Sequence, residues 1–262
     1  MAATPIALPP ALPSELLEYI LAHQAYPTTI LICQLRATFL SSLLRTIKHT
    51  SPRAPSPPLP NLDLGVPPDP VPEEPPQRHP LLIPTLRQVA TSRHINLVFI
   101  PTVTHLRAYL AVFPLPETKG TRSQQGWNKK GKNKPLLVIY GVLGLHKDTN
   151  EWSAQGLGNS LAGCVEAGWR SRRQVVVIEE KGVEDSDDEF AAAGVGDEEP
   201  GQETRGVCKV WEERVPMLNG SLRRAGLESD EGGWSGRTVE VGRILARWFK
   251  FRKGEWDCED TA

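Results

Sequence analysis

Cysteine is scarce in this chain of 262 residues, and Cys33, Cys164, Cys208 and Cys258 are too widely spaced to form a CxxC pair. Two of the four sit inside apolar runs, so neither a zinc site nor a disulfide framework is expected, and a reducing compartment is. No apolar stretch reaches the roughly 20 residues needed to span a bilayer, and no secretory leader is visible, so a soluble intracellular protein without membrane contact is expected. Charge of one sign is also missing: 30 Lys and Arg against 31 Asp and Glu leave a formal net charge of -1, which excludes a global attraction to nucleic acid and makes any electrostatic function local.

What is present is a run of buried-strand patterns separated by helix-sized spacers. Leu136-Leu137-Val138-Ile139 and Gln174-Val175-Val176-Val177-Ile178 are short continuous apolar runs of the kind that strands covered on both faces require. Between them, Ser153 reads as an N-cap, and Leu157, Leu161, Cys164, Val165 and Gly168 recur at helical spacing. The glycines of this segment lower helicity by up to about 1 kcal/mol each, and close packing of helix on sheet is the expected compensation. Upstream, Thr28 to Cys33 reads as the first core strand and Ile95 to Ile100 as the second. Helices are expected over Ser14 to Gln24, capped by Ser14; over Ala37 to Ile47, with Phe39, Leu40, Leu43, Leu44 and Ile47 facing the sheet; over Leu81 to Ser92, with Leu82, Leu86 and Val89 apolar; and over Thr102 to Phe113. The alternation predicts a three-layer α/β core with a mainly parallel sheet.

Long insertions interrupt that pattern. Residues 51–80 hold twelve prolines and almost no apolar periodicity, which predicts a disordered or polyproline-like segment. Residues 119–134, KGTRSQQGWNKKGKNK, hold six basic residues, no acid and one Trp. Such a loop could hold a phosphate backbone while the indole stacks on a base; a solvated loop is the alternative. Residues 179–206 are acidic, from Glu179 and Glu180 through Asp187 and Asp188 to Glu199, a block that repels phosphates. Apolar residues from Val207 to Gly220 follow no period, while Arg237 to Phe251 reads as a short helix leading to a strand over Arg247 to Phe251. A lead-in helix (1–27), one interrupted core (28–251) and a tail (252–262) are therefore expected.

Nucleotide chemistry is absent where it would be looked for. After Thr28 to Cys33 the connection Gln34-Leu35-Arg36-Ala37-Thr38 has no glycine to wrap a phosphate and no lysine. The strand ending at Ile139 is followed by Tyr140 and Gly141, where a hydrolase would place an acid for magnesium.

The segment LLVIYGVLGLHKDTNEWSAQGLGNSLAGCVEAG followed by QVVVIEE resembles the second half of the core of RecA-like recombinases and their eukaryotic paralogues. Ser153-Ala154-Gln155 resembles that family's helix start, Ile95 to Leu110 its second strand and following helix, and Gly236 to Phe251 its closing element. The resemblance implies a RecA-like core without the phosphate-loop lysine or the magnesium acid, and hence no enzyme activity, no catalytic residues, no cofactor, no metal and no small-molecule substrate. It is similar to the non-catalytic recombinase paralogues of Shu-type complexes. These imply a nuclear subunit assisting homologous recombination and DNA repair, with DNA and another recombinase paralogue as partners. Arg122, Trp127, Lys129, Lys130, Lys132 and Lys134 are the candidate DNA contacts of the basic loop. His146, Lys147 and Trp152 join them by similarity to the family's first DNA loop. Trp211, Met217, Trp248 and Phe251 are the candidate partner contacts. Elongator accessory subunits, which take part in tRNA modification, and a pure protein scaffold are the alternatives.

Overall fold

A computed structural model describes residues 4–23, 26–50, 79–113, 133–181, 209–218, 237–254 and 256. Three strands form the middle of its sheet, β2 (Thr28–Ile32), β4 (Leu136–Tyr140) and β5 (Gln174–Ile178), buried almost throughout. A longer edge strand, β3 (Ile95–Phe99), and two short ones, β1 (Ile6–Ala7) and β8 (Lys250–Phe251), complete six strands in the order β3-β2-β4-β5-β1-β8. Every pairing is parallel. Both faces of such a sheet must be covered, which is why its central strands are continuous rather than alternating apolar runs.

Strand alternation divides the core in two. Ile30, Ile32, Val138, Tyr140, Val176 and Ile178 share one face with Leu16 and Ile20 of helix α1 (Pro13–His23) and Phe39 of α2 (Arg36–Thr50). Leu31, Cys33, Leu137, Ile139, Val175 and Val177 point the other way, toward α4 (Val103–Ala111), α5 (Val142–His146) and α6 (Ala154–Ser171). The α/β class and three-layer parallel architecture expected of the sequence are thus present, consistent with a RecA-like core. Ser153 caps α6 as expected: its Oγ accepts from the Gly156 N–H at 3.0 Å.

Several local expectations are corrected. The first strand is β1, not β2, and the lead-in segment belongs to the core: β1 sits between β5 and β8, and α1 packs on α2. Ser14 lies buried inside α1, whose start is held by the Glu15 carboxylate accepting from the Leu12 N–H at 2.7 Å. On α2, Phe39 and Ile47 are buried, but Leu40 and Leu44 face solvent among the described residues. The segment before β3 divides into a 3-10 turn (Pro80–Leu82) and a short helix α3 (Leu86–Ser92), with Leu82, Leu86 and Val89 exposed. Local bonds rather than an apolar face define α3: Thr85 and Gln88 form a reciprocal capping box.

The aperiodic segment after residue 206 contains helix α7 (Lys209–Glu212) and strand β6 (Arg214–Pro216), which pairs antiparallel with β7 (Thr238–Glu240). Helix α8 (Val241–Leu245) then packs on α6, and β8 is two residues long where five were expected. The tail returns to the core, since Trp256 stacks edge-on against Tyr19 and donates from Nε1 to Pro10 O at 3.1 Å.

Candidate functional site

In an open parallel sheet, ligands bind beyond the carboxyl ends of the strands, where neighbouring strands send their helices to opposite faces. Here β2 and β4 are such a pair, and a cleft of about 490 Å³ lies at that edge, lined by Cys33, Gln34, Gly141, Lys147, Glu179 and Glu180 among others.

Glu179 is the unusual group in the cleft. It follows β5 directly and is buried, with both carboxyl oxygens accepting from the Leu143 N–H at 3.1 and 3.2 Å. Burial pushes its pKa up to about 8, against the opposing pull of the Leu143 hydrogen bond and the Lys147 charge. A carboxyl poised there could exchange protons near neutral pH, but among the described residues no activated nucleophile accompanies it. The Lys147 ammonium is committed to Glu213 at 2.9 Å and lies 5.6 Å from the centre of the Trp152 ring, and the Cys33 thiol is held well above its ordinary range, chiefly by burial. Glu180 accepts from the Ser42 hydroxyl at 2.8 Å. Both glutamates were expected at the start of the acidic insertion; instead they close the end of β5. The remainder of that insertion lies outside the described residues.

The connection from β1 to α1 occupies the neighbouring position on the same edge, and its donors are spent. Leu8 N donates to Val177 O, Ala11 N to Glu179 O and Leu12 N to the Glu15 carboxylate, while Pro9 and Pro10 have no N–H to give. A phosphate cradle needs free backbone donors and a positive field; this connection offers none of the former and places a carboxylate where the latter is needed. The sequence drew attention to the β2–α2 connection instead, because a two-residue strand flanked by prolines has no periodic signal. At the end of β4, Tyr140 is buried, donates from its hydroxyl to Ala11 O at 2.9 Å and meets Phe39 edge-on, so it acts as a core strut.

Of the expected DNA contacts, Arg122, Trp127, Lys129, Lys130 and Lys132 lie outside the described residues. Lys134 is exposed before the amino end of β4, whereas Lys147 and Trp152 are at its carboxyl end, so these residues do not converge on one surface. His146 is corrected outright. Wholly buried, it donates from Nδ1 to Val142 O at 2.8 Å, which leaves Nε2 to accept from Ser160 Oγ at 3.0 Å. Arg107 extends the chain of bonds, donating to Ser160 Oγ, Gly156 O and the Glu151 carboxylate, the last at 2.7 Å. Four segments are tied together by this network, and none of its histidine is available to a ligand.

Burial, aided by Arg107, holds the His146 pKa below its ordinary value against the Val142 and Glu151 contributions. Its neutral form therefore contributes stability that is present above about pH 6.5 and lost as pH falls through the lowered value. Replacing His146 with alanine is expected to cost about 2–4 kcal/mol at pH 7.5 through the cavity and the orphaned Val142 and Ser160 groups. The penalty should shrink at pH 5, as measured by urea denaturation at both pH values. A cost below about 0.5 kcal/mol, the range of ordinary surface changes, would show that the network is not structural.

The expected partner residues also divide. Trp211 is half-buried and meets Phe251 edge-on at 5.8 Å. Met217 is exposed beside the start of α6, where its carbonyl accepts from Gln155 N, while Trp248 is exposed before the amino end of β8. No described group of His, Cys, Asp and Glu is arranged to hold a metal ion. No described helix is long and apolar enough to cross a membrane. No protein-family model, curated protein or solved structure matches this chain.

Proposed function

We propose that this chain is a non-catalytic subunit of a recombinase-paralogue complex, assisting homologous recombination and DNA repair in the nucleus through contacts to DNA and to a second paralogue. The observation that carries this reading is a nucleotide-fold sheet whose phosphate-binding edge has been chemically closed. The β1–α1 connection has no spare backbone donor, the β2–α2 connection has neither glycine nor lysine, and Tyr140 stands where magnesium chemistry needs an acid. A fold retained without its catalyst is suited to binding and assembly. The basic residues of the loop ending at Lys134 supply the DNA-binding part of the reading.

A scaffold that never touches DNA is the second reading, favoured by the exposed Leu40, Leu44, Leu86 and Leu97 on described elements. Nuclease-treated affinity purification of the tagged chain from its own cells, read by mass spectrometry, separates the readings. Recovery of a second recombinase paralogue or of a recombinase is the expected result. Recovery of Elongator subunits in its place would overturn the proposal and move the protein to tRNA modification. Recovery of a recombinase paralogue by a purified pair that shifts no DNA would leave only the scaffold.

A further inference from the structure

A parallel sheet sorts its connections by edge: every strand-to-helix link lies at the carboxyl edge and every helix-to-strand link at the amino edge. The acidic insertion leaves from Lys181, after β5, at the carboxyl edge. The basic loop leaves from Phe113, after α4, and returns at Asn133, before β4, so both of its ends are at the amino edge. Among the described side chains, Arg93, Lys134, Arg172 and Arg247 precede β3, β4, β5 and β8, whereas the carboxyl edge is of mixed sign, with Asp148, Glu151, Glu179, Glu180 and Glu213 beside Arg36, Lys147, Lys181 and Arg252. Glu166, on the outer side of α6, is the nearest acid along the chain to the Arg172 cluster.

The middle of the row is well defined. Gln174 N donates to Pro135 O at 2.8 Å, which sets Lys134 beside Arg173 and Arg172, and Arg172 N donates to Trp169 O at 3.2 Å. Arg170 and Arg173 are occupied, the first by Leu110 O and Ala111 O, the second by Thr29 Oγ1 and the Phe113 ring. Lys134 and Arg172 are exposed, and no ion pair joins either to a described carboxylate. Trp169 beside them is 70% exposed, and Trp248 stands exposed next to Arg247. Cations near helix C-termini complement the helix dipole, which accounts for the sign of the charge at this edge. It does not account for two indoles held in water beside those cations.

We infer that the amino edge of the sheet, centred on Lys134, Trp169 and Arg172 and extended by Arg247 and Trp248, is a binding surface for single-stranded nucleic acid. Six strands at roughly 4.8 Å spacing set cations along an edge about 24 Å long, a track on which a phosphate backbone can lie while bases stack on the indoles. The surface is opposite the edge at which an open α/β sheet normally holds its ligand, and it is the edge from which the acidic insertion does not depart. This inference rests on the DNA-binding part of the proposed function.

The test is fluorescence anisotropy of the full chain with a labelled oligodeoxythymidylate over a salt series. Substituting Lys134→Ala, Arg172→Ala and Arg247→Ala together is expected to flatten the log affinity against log salt slope by about 2, at roughly 0.7 per lost phosphate contact. Trp169→Ala is expected to weaken binding about tenfold with the slope unchanged, and Trp169→Phe to restore most of it. Thermal melts should not move, because these side chains are exposed. Unaltered binding by the triple variant, with loss on changing Lys129, Lys130 and Lys132 to Ala, would overturn this surface and leave the DNA reading standing. Unaltered DNA binding with weakened capture of a protein partner would reassign the edge to that partner and overturn it as well. Absence of binding by the unaltered chain, alone and with its partner, would remove the DNA reading itself.

Discussion

Replacing Glu179 with glutamine is expected to stabilise the fold, by an amount that grows with pH. Glutamine keeps the acceptor for the Leu143 N–H and the length of the side chain but cannot ionise. The native carboxyl is held at about 8, well above its ordinary value, chiefly by burial. The sign follows from proton counting: between the ordinary carboxylate range and pH 8 the unfolded chain has lost a proton that the folded chain keeps, so the stability of the native protein falls as pH rises through that interval. Below the ordinary range both states are protonated and the two proteins should be nearly equal. Above pH 8 the cost of the buried carboxylate is fully developed, on the order of 5 kcal/mol at about 1.4 kcal/mol per tenfold change in proton affinity. Urea denaturation of both proteins at pH 4, 6 and 8.5 measures the gap directly. A gap that does not widen with pH would mean that Glu179 ionises freely, through water reaching it from the cleft, and the cleft would then hold a solvated anion rather than a neutral acid.

Why a carboxyl occupies that position was not legible in the sequence. Glu179 opens a run of ten acids that reads as one solvated block. The signal was there in its adjacency to Ile178, since a residue directly following a buried parallel strand lies at the ligand edge. The central strands and α6 were legible for a plain reason: the apolar runs Leu136–Ile139 and Val175–Ile178 and an apolar stripe from Leu157 to Gly168, about three helical turns, leave few alternatives. Strands β1, β6, β7 and β8 are two or three residues long, below the length at which any period can be counted, and they exist through their pairing partners.

The faces of α2 and α3 failed differently. Leu40, Leu44, Leu82, Leu86 and Val89 have the right spacing but are exposed: α2 meets the edge strand β3 through Phe39, which stacks edge-on against Phe99, and α3 packs on α1. His146, Lys147 and Trp152 were grouped by proximity in sequence. A five-residue helix turns the first of them into the core and leaves the other two on a bonded surface with Glu213, a distinction that depends on three-dimensional closure of the Ser160 and Arg107 bonds. Which edge of the sheet each charged insertion leaves from follows instead from the order of strands and helices, a property of topology that no local composition contains.

The glycines of α6 provide a test in which sequence propensity and packing predict opposite signs. Propensity alone says that Gly156→Ala and Gly158→Ala should each stabilise the helix by up to about 1 kcal/mol. At Gly158 a Cβ meets nothing within 4 Å, so that gain should be realised. At Gly156 a Cβ would lie 2.2 Å from the Glu151 carbonyl oxygen, a backbone atom that cannot rotate away. The Glu151 side chain is bonded to Arg107, and the Gly156 N–H is the donor that Ser153 caps. Relief of the clash therefore requires the turn before α6 to move, disturbing the cap and the Arg107 ion pair together. Overpacking usually costs about 1–3 kcal/mol and loss of a cap about 1 kcal/mol, so Gly156→Ala is expected to lose about 1–3 kcal/mol net of the propensity gain of up to about 1 kcal/mol. Denaturant midpoints of the two variants against the native chain decide the matter. Equal stabilisation by both would mean that the loop over Glu151 yields freely, and that the network from His146 through Ser160 and Arg107 to Glu151 does not fix the start of α6. Opposite signs would show that the glycine is kept for the approach of the Glu151 backbone, and that close packing of this turn outweighs the helicity the residue gives up.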